Sequence, residues 1–118
     1  MHTVIETRAF IRQAAAAGLR EEEVQALVER VARDPRAGQA IPGTGGCRKL
    51  RLAGRGKGKS GGYQVVTFYT GETIPVFLLA VFSKGERADL RASERGALAV
   101  LTKELAASYG RGTGRIRS

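Results

Sequence analysis

Apolar positions recur along this chain in distinct rhythms, and the clearest belongs to a helix. Val24, Leu27, Val28 and Val31 fall at i, i+3, i+4 and i+7, which predicts one buried stripe over residues 20–33. Glu21, Glu22 and Glu23 lie in its first turn and Arg30 and Arg33 in its last, each sign placed to suit the helix dipole. Pro35 ends it. An earlier helix is predicted from about Arg8, with Phe10, Ile11, Ala14 and Ala17 on one side and Gly18 as C-cap. The β-branched run Thr3-Val4-Ile5 precedes it and predicts a first strand.

The rhythm then shortens. Residues 34–46 carry two prolines and several glycines and are expected to form a loop. From Cys47 to Leu52 the pattern alternates, with Arg48, Leu50 and Leu52 on one side and Cys47, Lys49 and Arg51 on the other. A glycine-rich hairpin connection over 53–61 leads to a β-rich run, Tyr63 to Tyr69. Ile74 to Phe82 is almost wholly apolar, as a central strand covered on both faces would be. Ser83 to Arg87 leaves that strand as a polar loop. Ser93 is a suitable N-cap for a last helix, with Leu98, Leu101 and Leu105 as its apolar face and its end near Tyr109-Gly110. The expected architecture is α+β in the order β-α-α-β-β-β-α, with the strand meander packed on the helical pair. One domain is expected over residues 1–110, followed by a basic, flexible tail over 111–118.

Charge adds what periodicity cannot. The chain has 118 residues, 42% of them hydrophobic, which suits one modest core and argues against global disorder. Its net charge is +9, an excess that points to nucleic acid, an acidic protein or an anionic surface. Seven Phe and Tyr and no Trp weigh against a stacking platform for single strands. Cys47 is the only cysteine, so no internal disulfide can form and a reducing compartment fits best. No apolar run approaches the ~20 residues of a membrane span, and the N-terminus has no signal-peptide pattern. A cytoplasmic protein that engages no membrane is expected.

The basic residues are concentrated. Gly43 to Gly62, GTGGCRKLRLAGRGKGKSGG, holds six cations and eight glycines, and no acid occurs between Asp34 and Glu72. Cations so crowded repel one another unless a polyanion is bound, and RNA is the polyanion expected. Gly58-Lys59-Ser60 imitates a phosphate loop, but Ala53 replaces the first glycine and a β-rich run follows where a helix must open. The same composition would also suit a solvated hairpin that only keeps the chain soluble. Against that reading, Lys49 and Arg51 share one strand face, which makes a rigid anion site rather than a loose one. His2 is the single histidine, so a histidine-pair ribonuclease mechanism is excluded, and a terminal residue of this kind is expected to fray. Cys47 reads as a small packed side chain, the three consecutive glutamates as helix-start chemistry, and no metal-ligand spacing occurs.

Two long segments, IPGTGGCRKLRLAGRGKGKSGGYQVVTFY and IPVFLLAVFSKGERADL, resemble the RelE superfamily of toxin endoribonucleases, and within it the HigB-like toxins of bacterial type II toxin–antitoxin pairs. The shared run is a PGTGG turn, an R-K strand, a GKSGG hairpin, a β-strand, a turn carrying K, E and D-L, and a final helix. The resemblance implies a small antiparallel sheet against two N-terminal helices, with a C-terminal helix. It implies metal-independent cleavage of mRNA, commonly in the ribosomal A site, by attack of the ribose 2′-OH on the adjacent phosphate. No cofactor is implied. The implied partners are mRNA, the ribosome and a cognate antitoxin with an acidic segment and a helix-turn-helix DNA-binding part.

Carried over by position, Lys49 and Arg51 match the family's basic strand and would hold the scissile phosphate. Lys84, after the long strand, would donate to the phosphate or the leaving oxygen. Arg48, Arg55, Lys57 and Lys59 would grip flanking phosphates. One position departs: the family usually has Arg after the Gly-Gly-x that ends the hairpin, and this chain has Gln64. A neutral amide cannot offset an oxyanion, and loss of one such donor typically costs ~10²–10³ in rate. Either Arg51 or Arg55 substitutes, or the scaffold is a weakened nuclease or a non-catalytic RNA- or ribosome-binding module. A third reading is a domain whose basic face docks on an acidic protein. Tyr63 and Tyr109 are the available acid–base candidates, each more naturally explained by packing.

Overall fold

A computed structural model describes residues 2–53, 62–85 and 89–110 of the chain. The hairpin connection that carries Arg55, Lys57 and Lys59, and the tail over 111–118, lie outside the described residues.

β1 (Val4–Glu6) leads directly into α1 (Arg8–Ala17). Thr7 makes the corner: its hydroxyl accepts from the Phe10 N–H at 3.2 Å and donates to the Leu78 carbonyl at 2.8 Å. One side chain thus caps the helix and ties it to the sheet. Gly18 ends α1 with φ 82°, a left-handed conformation that costs glycine nothing. α2 (Glu21–Arg33) begins where the Arg20 N–H donates to the Glu23 carboxylate at 2.9 Å. Val24, Leu27, Val31 and Ala32 are its buried stripe, with Val28 half-buried beside them, as the spacing predicts.

Four more strands complete the sheet: β2 (Gln39–Ala40), β3 (Cys47–Leu52), β4 (Tyr63–Phe68) and β5 (Val76–Ser83), in spatial order β1-β5-β4-β3-β2. The meander β3-β4-β5 is antiparallel as expected, whereas β1 joins β5 in parallel. That connection is possible because two helices separate β1 from the rest of the sheet, the crossover that parallel pairing requires. β2 is a two-residue edge strand inside the segment read as loop. It is too short to carry a periodic signal. In β5, Leu79 is an extra residue, since Val66 pairs with Ala80 and Thr67 with Leu78. This bulge turns both Leu79 and Ala80 toward one face.

The sheet is covered on both sides. α1 and α2 pack on one face over Leu50, Val65, Val76, Leu78 and Val81. α3 (Ala92–Gly110) covers the other, where Leu98, Leu105 and Tyr109 meet Cys47, Val66, Phe68, Phe77 and Leu79. The apolar run of β5 therefore fills two cores, which is why it does not alternate. α3 differs from expectation at two points. It starts at Ala92, before Ser93, with the Arg91 N–H bonded to the Glu94 carboxylate at 2.8 Å. Leu101 is 39% exposed, and the neighbouring Thr102 takes the buried position instead.

Thr102 is buried for a reason. Its hydroxyl donates to the Thr44 carbonyl at 2.8 Å, and the Thr44 hydroxyl in turn donates to the Ile41 carbonyl at 2.6 Å and accepts the Cys47 N–H at 3.2 Å. The PGTGG turn is thereby fastened to α3 just before β3 begins. A Cβ on Gly45 would stand 2.6 Å from the Thr102 hydroxyl, so the turn approaches as closely as only glycine allows.

Candidate active site

The free end of the meander carries the basic side chains. Alternation in β3 sends Cys47, Lys49 and Arg51 to the α3 face, and Cys47 is used up in the core. Lys49 and Arg51 continue the row beyond the point where apolar contacts end. Across the ladder Arg51 pairs with Gln64, and Gln64 with Phe82 on the far side. The Lys84 N–H donates to the Gly62 carbonyl at 3.1 Å, which extends the β4–β5 ladder by one step and holds Lys84 beside this row. Lys49, Arg51, Gln64 and Lys84 all line one open cleft of about 360 Å³.

Two further walls come from elements that the sequence reading did not assign to a site. Arg30, from the last turn of α2, reaches over the edge of β3, and its Nη1 donates to the Arg51 carbonyl at 3.4 Å. Gly38 and Gln39 form the rim next to it. At Gly38, φ is 92° and a Cβ would collide with the Lys49 carbonyl, so the backbone comes this close only because the residue is glycine. Three cationic strand or turn side chains and one helix cation therefore surround a neutral amide that is only 3% exposed.

On the α3 side, Lys49 Nζ lies 3.5 Å from Asp89 Oδ2, and Arg95 Nη2 lies 3.6 Å from the same oxygen. The Leu90 N–H bonds the other carboxylate oxygen at 2.8 Å. That backbone bond first, and then the two cations, hold the Asp89 carboxyl below its usual range. Neither Asp89 nor Arg95 carries a periodic signal. Glu86 and Glu94 flank Asp89 in the sequence, so its charge alone does not single it out, and its one mark is the D-L of the turn on which the family resemblance rests.

The remaining sequence candidates fall elsewhere. Arg48 points to the opposite face of β3, where its guanidinium donates to the Gly38 carbonyl at 3.2 Å, and it does not line the cleft. Tyr63 is buried under α1, with its hydroxyl donating to the Ala17 carbonyl at 3.5 Å. Tyr109 packs edge-on against Phe77 at 5.2 Å. His2 does not fray: its N–H bonds the Ala32 carbonyl and its ring meets the Tyr69 hydroxyl at 3.1 Å, away from the cleft. Cys47 is fully buried, and burial pushes its thiol up to about 11, so it is inert packing. Among the described residues no three His, Cys, Asp or Glu side chains converge as metal ligands would.

A family model described as the RelE toxin of the RelE/RelB toxin–antitoxin system matches residues 2–112. The chain belongs to the RelE toxin family. Its structure is similar to that of the E. coli toxin RelE, in a doubly substituted mutant in the free state. That match has a TM-score of 0.57 at 22% identity and covers 85% of this chain and 95% of the other. At this identity the RelE likeness shows a shared fold, an α+β arrangement of three helices on a five-stranded mixed sheet. No helix among the described residues is long and apolar enough to cross a membrane.

Proposed function

We propose that this RelE-family protein is a metal-independent endoribonuclease that cleaves mRNA on the ribosome and so inhibits translation. The observation that carries the reading is the convergence of Lys49, Arg51 and Lys84 on one open cleft. In the reaction the ribose 2′-oxygen bonds to the adjacent phosphorus as the phosphorus–O5′ bond breaks. The 2′-OH proton passes to solvent and a proton is delivered to O5′, leaving a cyclic phosphate and a 5′-OH. Lys49 and Arg51 hold the non-bridging oxygens and offset the charge that grows on them, while Lys84 donates to the phosphate or to the departing O5′. Fixed cations suit this step because they need no reorganisation as charge develops.

The cognate partner is an antitoxin with an acidic segment and a helix-turn-helix part, complementary to a net charge of +9. Both act in the cytoplasm. The deciding experiment is induced expression with mapping of mRNA 5′ ends. New ends within coding regions and arrested translation are expected, and both should vanish in the Lys49→Ala, Lys84→Ala double variant. A double variant as toxic as its parent would refute the site.

Gln64 favours a second reading. A neutral, nearly buried amide stands where the resemblance calls for Arg, so the same cleft could bind RNA or ribosome without cutting. In that case binding falls steeply with salt while bound RNA stays intact.

A further inference from the structure

Asp89 places one carboxylate oxygen at the meeting point of two cations from different elements, Lys49 on β3 and Arg95 on α3. The other oxygen is anchored by the Leu90 N–H, so the carboxylate is presented rather than loose. Among the described residues, Arg95 Nε–H is buried without an acceptor, so the guanidinium fork is only half used. The three side chains are 35–41% exposed, open to exchange with a ligand from solvent. Exposed ion pairs of this kind hold by no more than about a few-fold each. A polynucleotide that grips neighbouring cations at the same time can displace such a contact.

We propose that Lys49 and Arg95 form a phosphate subsite for a polynucleotide, which the Asp89 carboxylate occupies until a backbone phosphate replaces it. This rests on the RNA reading of the cleft and extends it from β3 onto α3. Lys49 then belongs to two anion positions, the scissile one shared with Arg51 and a neighbouring one shared with Arg95. The occupant is a phosphodiester: it carries one charge, as the carboxylate does, and its two non-bridging oxygens can span Lys49 Nζ and Arg95 Nη2, the two atoms that now share the Asp89 oxygen.

The test is binding of a 2′-O-methylated, uncleavable oligoribonucleotide, followed by fluorescence anisotropy over a series of KCl concentrations. Asp89→Asn is expected to tighten binding by about 3–10-fold and to steepen the salt slope by about one counterion. Arg95→Gln is expected to weaken binding and to abolish the gain when combined with Asp89→Asn. Asp89→Ser, which removes the charge but keeps an acceptor for the Leu90 N–H, reports the same outcome should the asparagine variant fold poorly. Unchanged or weaker binding by both Asp89 variants, in a parent protein that binds, overturns the subsite alone. So does an Asp89→Asn gain that survives Arg95→Gln. Absence of salt-dependent binding in the parent, or binding indifferent to Lys49→Ala, overturns the RNA reading itself and the subsite with it.

Discussion

Arg51 and Gln64 stand directly opposite each other on the β3–β4 ladder, with Gln64 only 3% exposed. The cleft thus has a cation facing an amide where two cations would repel. Like charges directly opposite on a sheet destabilise it. The amide therefore favours folding and lowers the positive potential at the point where phosphate would bind.

Gln64→Arg should consequently move activity and stability in opposite directions. Cleavage should rise, by up to ~10²-fold if the guanidinium reaches the oxyanion. Stability should fall by about 1–3 kcal/mol, from burial of a charge facing Arg51. Primer extension on a test mRNA and thermal unfolding of the same preparation check both. Unchanged cleavage would mean that position 64 takes no part in the chemistry.

Arg30 supplies charge to the same cleft from α2 without the cost of facing Arg51 across a strand pair. Arg30→Ala should weaken RNA binding and reduce the magnitude of the logarithmic salt slope by about one, the signature of one lost phosphate contact. The fold should be little affected, since its one observed bond to the Arg51 carbonyl is long, at 3.4 Å. A salt slope identical to the parent's would remove Arg30 from the site.

The fastening of the PGTGG turn gives a stability test away from the chemistry. Thr102→Val keeps the side chain's shape but leaves the buried Thr44 carbonyl without its donor, at a cost of about 1–3 kcal/mol. Gly45→Ala should cost at least as much, because φ there is 76° and the new methyl meets the Thr102 hydroxyl. Chemical denaturation of the two variants measures both.

Cys47 provides a pH dependence whose sign can be fixed. Burial raises its thiol from 9.0 to about 11, so between those values the folded state holds a proton that the unfolded chain has released. Stability must then fall as pH rises through that window. The loss approaches an order of 2–3 kcal/mol near the upper end. The difference in unfolding free energy between parent and Cys47→Ala, followed from pH 8 to pH 11, isolates it from lysine and tyrosine titration. A constant difference would show that the thiol titrates normally.

Much of this molecule was legible because its elements repeat. The stripe Val24, Leu27, Val28, Val31 and the doubly apolar run of β5 each offer several concordant positions, and the strand face of Lys49 and Arg51 follows from simple alternation. What escaped has no period. β2 has two residues, and the parallel seat of β1 depends on a partner far along the chain. Leu101 has the right spacing but yields its place to Thr102, whose value lies in a hydrogen bond that spacing cannot reveal. Arg30, Asp89 and Arg95 are single charges, Arg30 far along the chain from the other two, so only the folded chain shows that Arg30 lines the cleft and that Asp89 joins Arg95 to Lys49 beside it.

The parallel pairing of β1 with β5 also bears on how the protein comes into being. Thr7, which caps α1, bonds the Leu78 carbonyl 71 positions away, and Val4 pairs with Val76. Contacts so distant in sequence close large loops and form late in folding. On a translating ribosome the N-terminal strand must wait for almost the whole sheet to emerge before it has a neighbour. Lys84, just beyond β5, emerges only after that strand. A chain truncated before Val76 would lack both the seat of its first strand and Lys84, the cation that the end of β5 brings to the cleft.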